Sequence, residues 1–140
     1  MTDIERAIEN LSGHTICLCK GENIITDDGR GISPMMKFIG ENKGISGYSA
    51  ADIIVGKAAA MLFVKAGISA VHGKVMSYAG KEYLESRGIP CTYDTLTESI
   101  TDRSGKDICP MERTVSAIED PDVGYEALKA KIAEMRNKKN

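Results

Sequence analysis

The sharpest chemical signal in the chain is Cys109-Pro110-Met111-Glu112. Proline suits the first turn of a helix, which predicts Cys109 as the N-cap and Glu112 as the third helical residue. Cap positions favour Ser, Thr, Asp and Asn. A cysteine there would meet free N–H groups and the positive end of the helix dipole, and both favour thiolate. Arg103 and Lys106 upstream would add to that effect, and the carboxylate of Glu112 would oppose it. The chemistry would be that of a nucleophilic or ligand-contacting thiol. Spacing alone favours the plainer alternative, a small buried residue closing the helix.

A second feature is Asp52-Ile53-Ile54-Val55-Gly56-Lys57-Ala58-Ala59-Ala60-Met61-Leu62, apolar nearly all round and predicted to lie in a buried helix over Ser49–Ala66. At about 100° per residue, Lys57 and Lys65 would fall roughly 80° apart on one thin wet edge. Lys57 then either points a charge into a pocket, with Gly56 admitting a ligand or backbone closely, or snorkels past its neighbours to water. Side-chain chemistry alone leans to snorkelling. Asp52, three residues after Ser49, matches a capping box. Two loops suit anions: Gly29-Arg30-Gly31-Ile32-Ser33-Pro34, which joins flexible backbone, a cation and a helix start, and Arg103-Ser104-Gly105-Lys106. Neither matches the Walker or dinucleotide pattern. His72 ends a predicted parallel strand, where sites on α/β sheets lie. His14 only precedes a strand.

The elements that must position these residues follow from pattern. Thr2 to Leu11 reads as an amphipathic helix; Thr15 to Lys20 and Ile24 to Thr26 form a hairpin through Gly21-Glu22-Asn23. Ser33-Pro34 opens a helix to about Glu41, with Ser33 as its cap. After the Ser49–Ala66 helix, stopped by Gly67, come a strand over Ile68–His72, a helix over Ser77–Ser86 and a strand over Ile89–Tyr93. Thr95 to Asp107 fits strand, helix or loop, and capped helices open at Cys109-Pro110 and Asp120-Pro121. Alternating short strands and helices argue for parallel strands joined by crossovers. The expected class is α/β, a small mixed sheet sandwiched by helices.

The 140 residues form one expected domain, 1–140, long enough to bury a core without staples. Hydrophobic content of 42% and charged content of 27% are ordinary for a globular chain. The longest apolar run, Ala58 to Val64, is too short to cross a bilayer. With 18 Lys and Arg against 20 Asp and Glu, nucleic acid is a poor partner. The one basic cluster, Lys129, Lys131, Arg136, Lys138 and Lys139, complements a helix C-terminus. The acidic start, Met1-Thr2-Asp3-Ile4-Glu5-Arg6, does not suit a signal peptide, so a cytoplasmic location is expected and the four cysteines are read as free thiols. Cys17 and Cys19 should share one strand face. Zinc held by Cys17, Cys19, Cys91 and a histidine is the weak alternative.

Taken together, Gly29-Arg30-Gly31-Ile32-Ser33-Pro34, the Asp52–Ala60 segment, Asp102-Arg103-Ser104-Gly105 and Cys109-Pro110-Met111-Glu112 resemble the family catalogued as domain of unknown function 1893. That resemblance covers most of the chain. It implies a cytidine-deaminase-like fold, a three-layer α/β/α sandwich with an N-terminal hairpin. It does not imply deamination. Zinc deaminases need a His or Cys with a nearby Glu at the start of the central helix, and Pro-Cys-x-x-Cys at the start of the next. The regions matched here, Ser49-Ala50-Ala51-Asp52 and Val75-Met76-Ser77-Tyr78-Ala79, offer neither thiolate nor imidazole, so no metal or other cofactor is expected.

The resulting expectation is a metal-free enzyme or former enzyme acting on a small anionic, nucleotide-like ligand. Cys109 would be the nucleophile or thiol contact, Asp52 and Lys57 would orient the ligand, and Arg30 or Arg103 would take its negative charge. Glu112 joins the candidate catalytic set, and Gly31, His72 and Ser77 the candidate ligand contacts, with Asp52, His72 and Ser77 lining one pocket. The alternative is a non-catalytic ligand-sensing or protein-interaction module on the same fold. A homo-oligomer is compatible with either.

Overall fold

The computed structural model describes residues 1–138; Lys139 of the basic cluster lies outside the described residues. In chain order the elements are α1 (Asp3–Glu9), β1 (Ile16–Lys20), β2 (Asn23–Asp27), α2 (Ser33–Gly40), β3 (Ser49–Val55), α3 (Lys57–Ala66), β4 (Ala70–Ser77), α4 (Tyr78–Ser86), β5 (Cys91–Thr97), α5 (Pro110–Val115) and α6 (Pro121–Lys138). They build an open, five-stranded mixed sheet in the order β2-β1-β3-β4-β5. β1 runs antiparallel to both β2 and β3, whereas β3, β4 and β5 are parallel. The class is α/β, as expected.

The largest departure from the sequence pattern is at Ser49–Ala66. Ser49–Val55 is a strand, and the helix begins only at Lys57 after an extended Gly56. Asp52 therefore caps nothing and sits inside β3. The segment looks apolar all round because β3 is buried on both faces, as central strands are. Ala51 and Ile53 face a small core with Ala7, Leu11, Cys17 and Cys19. Ala50 faces the main core, with Ile16, Leu18, Met35, Phe63, Val71 and Leu84.

Other boundaries move less. β4 continues from Ala70 to Ser77, so His72 is not at its end, and β5 runs on to Thr97. The remaining segment up to Cys109 is a loop with one bridge, Thr101 to Ile108. α1 is shorter than expected and carries a capping box between Thr2 and Glu5. The cap of α2 is Ile32, and Pro34 is the second helical residue.

Helix α1 packs against β1, β3 and β4, and the other face of the sheet is covered through the main core by α2, α3 and α4. α6 lies on α3, where Gly124 leaves room for Met61; a Cβ there would stand 2.5 Å from Met61 Cε. α5 bridges α3 and α6. Among the described residues, no helix is long and apolar enough to cross a membrane.

Candidate functional site at the starts of α3 and α4

The parallel units β3-α3-β4 and β4-α4-β5 bring the first turns of α3 and α4 to one end of the sheet, beyond the C-terminal ends of β3 and β4. This is where ligands sit on sheets of this class. The two starts are in direct contact: a Cβ on Gly80 would meet Val55 O at 2.9 Å and Gly56 O at 3.0 Å. A helix start exposes amides with no intrahelical partner, and each of these two is satisfied differently. In α4 the local sequence does it, Ser77 Oγ accepting from Gly80 N at 3.0 Å.

In α3 no local side chain caps the helix. Instead Glu112, on α5, spans both amides: Lys57 N donates to Oε1 at 2.8 Å and Ala58 N donates to Oε2 at 2.8 Å. Gly56 is what admits this carboxylate, since a Cβ at that position would lie 2.3 to 2.7 Å from its three atoms. Burial pushes the Glu112 carboxyl above its ordinary range, while the two amides and the Lys57 charge pull it back. Lys57 is itself 8% exposed. Its Nζ donates to Ser116 O at 3.2 Å and lies 3.5 Å from Glu119 Oε1. It does not snorkel to bulk water on a helix edge; it faces a cleft.

That cleft is a cavity of about 630 Å³. Its inner end is formed by Lys57, Ser77 and Glu112, one wall by Ala79, Glu82, Tyr83 and Ser86 of α4, and another by Glu98, Ser99, Ile100 and Ile108 of the β5–α5 connection, with Ser116 and Glu119 beyond α5. Carboxylates (Glu82, Glu98, Glu112, Glu119) outnumber the single cation. Tyr83 Oη donates to Glu119 O at 2.7 Å, and Arg87 also donates to that carbonyl, so the α5–α6 link is tied to α4.

Of the residues singled out by sequence, the structure brings together Lys57, Ser77 and Glu112. The other six do not line the cavity. Asp52 points to the main-core side from mid-strand, in register with Ile16 and Gly73, and accepts from Ile54 N at 3.3 Å. Burial lifts its carboxyl to about 7. His72 lies on the opposite, α1 side, in register with Ala51; its Nδ1 is 2.7 Å from Thr92 Oγ1, and its buried Nε2, 3.3 Å from Asp94 Oδ1, makes no aligned hydrogen bond.

Arg30 and Gly31 belong to an exposed turn whose shape is set by Asp27 and Thr15 through Gly29 and by the positive φ of Gly31. Arg103 is in the exposed turn that Asp102 and Ser104 organise. Cys109 does stand at the N-cap of α5, but its side chain makes no capping hydrogen bond. The proposed Cys17, Cys19, Cys91 zinc set is divided by the sheet: the first two face α1, 3.8 Å apart, and Cys91 packs on the main core.

Two spacings in the chain carry information about the cavity that motif reading passes over. Ala79, Glu82, Tyr83 and Ser86 follow i, i+3, i+4, i+7, one face of a helix. Glu112, Ser116 and Glu119 repeat i, i+4, i+7 across the end of α5. Both mark polar faces that a solvated helix would also show, so only their meeting in space gives them meaning.

Comparison with known proteins places this geometry in context. A family model described as a domain of unknown function, DUF1893, matches residues 6–132. No curated protein matches the chain. A crystal structure of a DUF1893 family protein, TM1506 of Thermotoga maritima, superposes with a TM-score of 0.84 at 23% identity, over 94% of this chain and 91% of that one. At that identity the likeness shows the fold.

Proposed function

The chain belongs to the DUF1893 family, and from that premise we propose that it is a small-molecule-binding protein on a cytidine-deaminase-like fold, its ligand seated in the cavity at the starts of α3 and α4. The deaminase-like description is supported by the antiparallel hairpin at one side of the sheet, followed by β3-α3-β4-α4-β5 with parallel strands. The zinc chemistry of deaminases does not carry over. The two helix starts that would hold the metal read Gly56-Lys57-Ala58-Ala59 and Ser77-Tyr78-Ala79-Gly80. These are the relevant positions, in place of Ser49–Asp52 and Val75–Ala79, and they too contain no thiol or imidazole.

The observation that carries the proposal is the meeting of Lys57 and Glu112, 55 residues apart in sequence, at the inner end of a cavity bounded by two helix starts. An ammonium in this position orients a ligand's negative group. The outer carboxylates of Glu82, Glu98 and Glu119 suit hydrogen-bond donors or positive charge on its other end. A nucleotide-like molecule, with an anionic part and an amino-bearing base, has both. Binding without turnover is the favoured form, because Cys109, the candidate nucleophile, is not among the lining residues.

A thermal-shift panel of nucleotides, sugar phosphates and small carboxylates tests this directly. We expect at least one compound to stabilise the protein, the shift to vanish in Lys57→Met, and Arg30→Ala and Arg103→Ala to leave it unchanged. A panel without effect, or a shift that survives Lys57→Met and disappears with Arg30→Ala, overturns the proposal.

A further inference from the structure

We infer that the free edge of β5 is a homodimer interface, on which a second copy of this chain pairs antiparallel across a two-fold axis at Thr92 and doubles the five-stranded sheet. The inference stands apart from the cavity and does not rest on its ligand. β5 is the longer of the two outer strands, seven residues against five in β2. Its sequence, Cys91-Thr92-Tyr93-Asp94-Thr95-Leu96-Thr97, holds no Pro or Lys and a single charge. It therefore lacks most of the devices that keep sheet edges apart. Thr92 to Thr95 are exposed, because α1 packs on β1, β3 and β4 and leaves β5 largely open.

The ladder to β4 says which backbone groups are free. Val71 N donates to Pro90 O, and Val71 stands in register with Cys91. In a parallel ladder this turns Pro90 and Thr92 toward β4, and the polar groups of Cys91 and Tyr93 outward. An antiparallel copy centred on Thr92 sets Cys91 opposite the partner's Tyr93, and each such pair exchanges both backbone hydrogen bonds.

Charge complementarity selects that centre and a second copy as the partner. α4 runs opposite to β5 and packs on both β4 and β5. Its Lys81 and Glu85, 3.0 Å apart, stand beside the free edge. Burial first and Glu85 second push the Cys91 thiol up, whereas Lys81, held charged chiefly by Glu85, interacts with Tyr93 ahead of Cys91. Glu85 is thus level with Cys91 and Lys81 with Tyr93. Across an axis at Thr92, Lys81 meets the partner's Glu85 and Glu85 meets the partner's Lys81, the two α4 helices lying about 10 Å apart. An axis at Tyr93 sets Lys81 against its own copy, and one at Asp94 opposes two carboxylates; like charges so placed are destabilising. With the axis at Thr92, Asp94 lies opposite the partner's Pro90.

Sedimentation equilibrium of the full chain tests the interface. The expected species has twice the 15.1 kDa mass of one chain. Lys81→Glu or Glu85→Lys alone should weaken association about tenfold or more, and the double reversal should restore it, since the exchanged pair is again self-complementary. Tyr93→Pro should give a folded monomer, because the lost N–H faces away from β4. Under mild oxidation Thr92→Cys should cross-link to its own copy above the wild-type background, the paired Cα atoms being about 4.5 Å apart, and Asp94→Cys should not. A chain that stays monomeric at high micromolar concentration overturns the inference. So does a dimer indifferent to Tyr93→Pro and to both single reversals, or one that the double reversal fails to restore. Should Tyr93→Pro not fold, the charge reversals and the cross-link decide. A monomer that still binds a compound of the ligand panel removes this inference alone, whereas a dimer with a silent panel removes the cavity proposal alone.

Discussion

Asp52 is buried and Glu112 partly so, yet only Glu112 has been given adequate partners. Asp52 has one long hydrogen bond from Ile54 N, and burial lifts its carboxyl from an ordinary value near 3.8 to about 7. The folded form therefore holds a proton that the unfolded chain has lost between those values. Stability is full below pH 4, falls as pH rises from about 4 to about 7, and stays reduced above. The whole effect is at most roughly 4 kcal/mol. Asp52→Asn should remove this dependence and be more stable than wild type at pH 8, measured by urea unfolding at several pH values. A wild type that is no less stable relative to Asp52→Asn at pH 8 than at pH 4 would contradict it. At Gly56 the partner is steric: Gly56→Ala should cost about 2 kcal/mol or more by expelling the Glu112 carboxylate. In a Glu112→Ala background most of that cost should vanish, because the atoms the methyl meets are gone. Additive costs in the double-mutant cycle would refute the contact.

At the scale of elements, α4 and the α5–α6 link show what holds the cavity walls. Ser77→Ala removes the cap of α4 and should cost about 1 kcal/mol. Tyr83→Phe removes the hydrogen bond to Glu119 O and should cost a similar amount. In hydrogen exchange, Tyr83→Phe should loosen residues around 116–120 while leaving β3 and β4 protected, and uniform loss of protection would argue against a local tie. Much of this element order is visible in the chain. The hairpin, α4 opened at Ser77, and α5 opened at Cys109-Pro110 stand where turn residues and caps place them. β3 is hidden for a physical reason. Buried by α1 on one face and the main core on the other, it lacks the alternation that marks a half-exposed strand, and Ser49 with Asp52 imitates a capping box. Its β-branched run Ile53-Ile54-Val55 ahead of Gly56 is the local hint that a strand precedes the helix. The site was legible only in part. Lys57, Ser77 and Glu112 stand out by type and position, but their meeting, and the exclusion of Asp52 and Cys109 from it, depend on chain crossings that no local pattern encodes.

At the scale of the whole molecule, the sheet separates two environments. The small α1-side core buries Cys17 and Cys19 completely, and burial pushes the Cys17 thiol up to about 12. On the far side, Cys109 lies at the partly exposed start of α5. Thiol titration of the native protein at pH 8 should therefore show Cys109 reacting first and Cys17 and Cys19 only on unfolding. Rapid labelling of Cys17 would mean that α1 does not stay docked. The charge layout places one buried cation, Lys57, beside the Glu112 carboxylate at the inner end of the cavity, with the carboxylates of Glu82, Glu98 and Glu119 farther out. Amide chemical-shift mapping during titration with nucleotides, sugar phosphates and small carboxylates tests this arrangement most directly. The predicted result is movement concentrated at Lys57–Ala59 and Ser77–Gly80, abolished by Lys57→Met. Shifts confined to the Arg30 or Arg103 turns, or none with any compound, would contradict it.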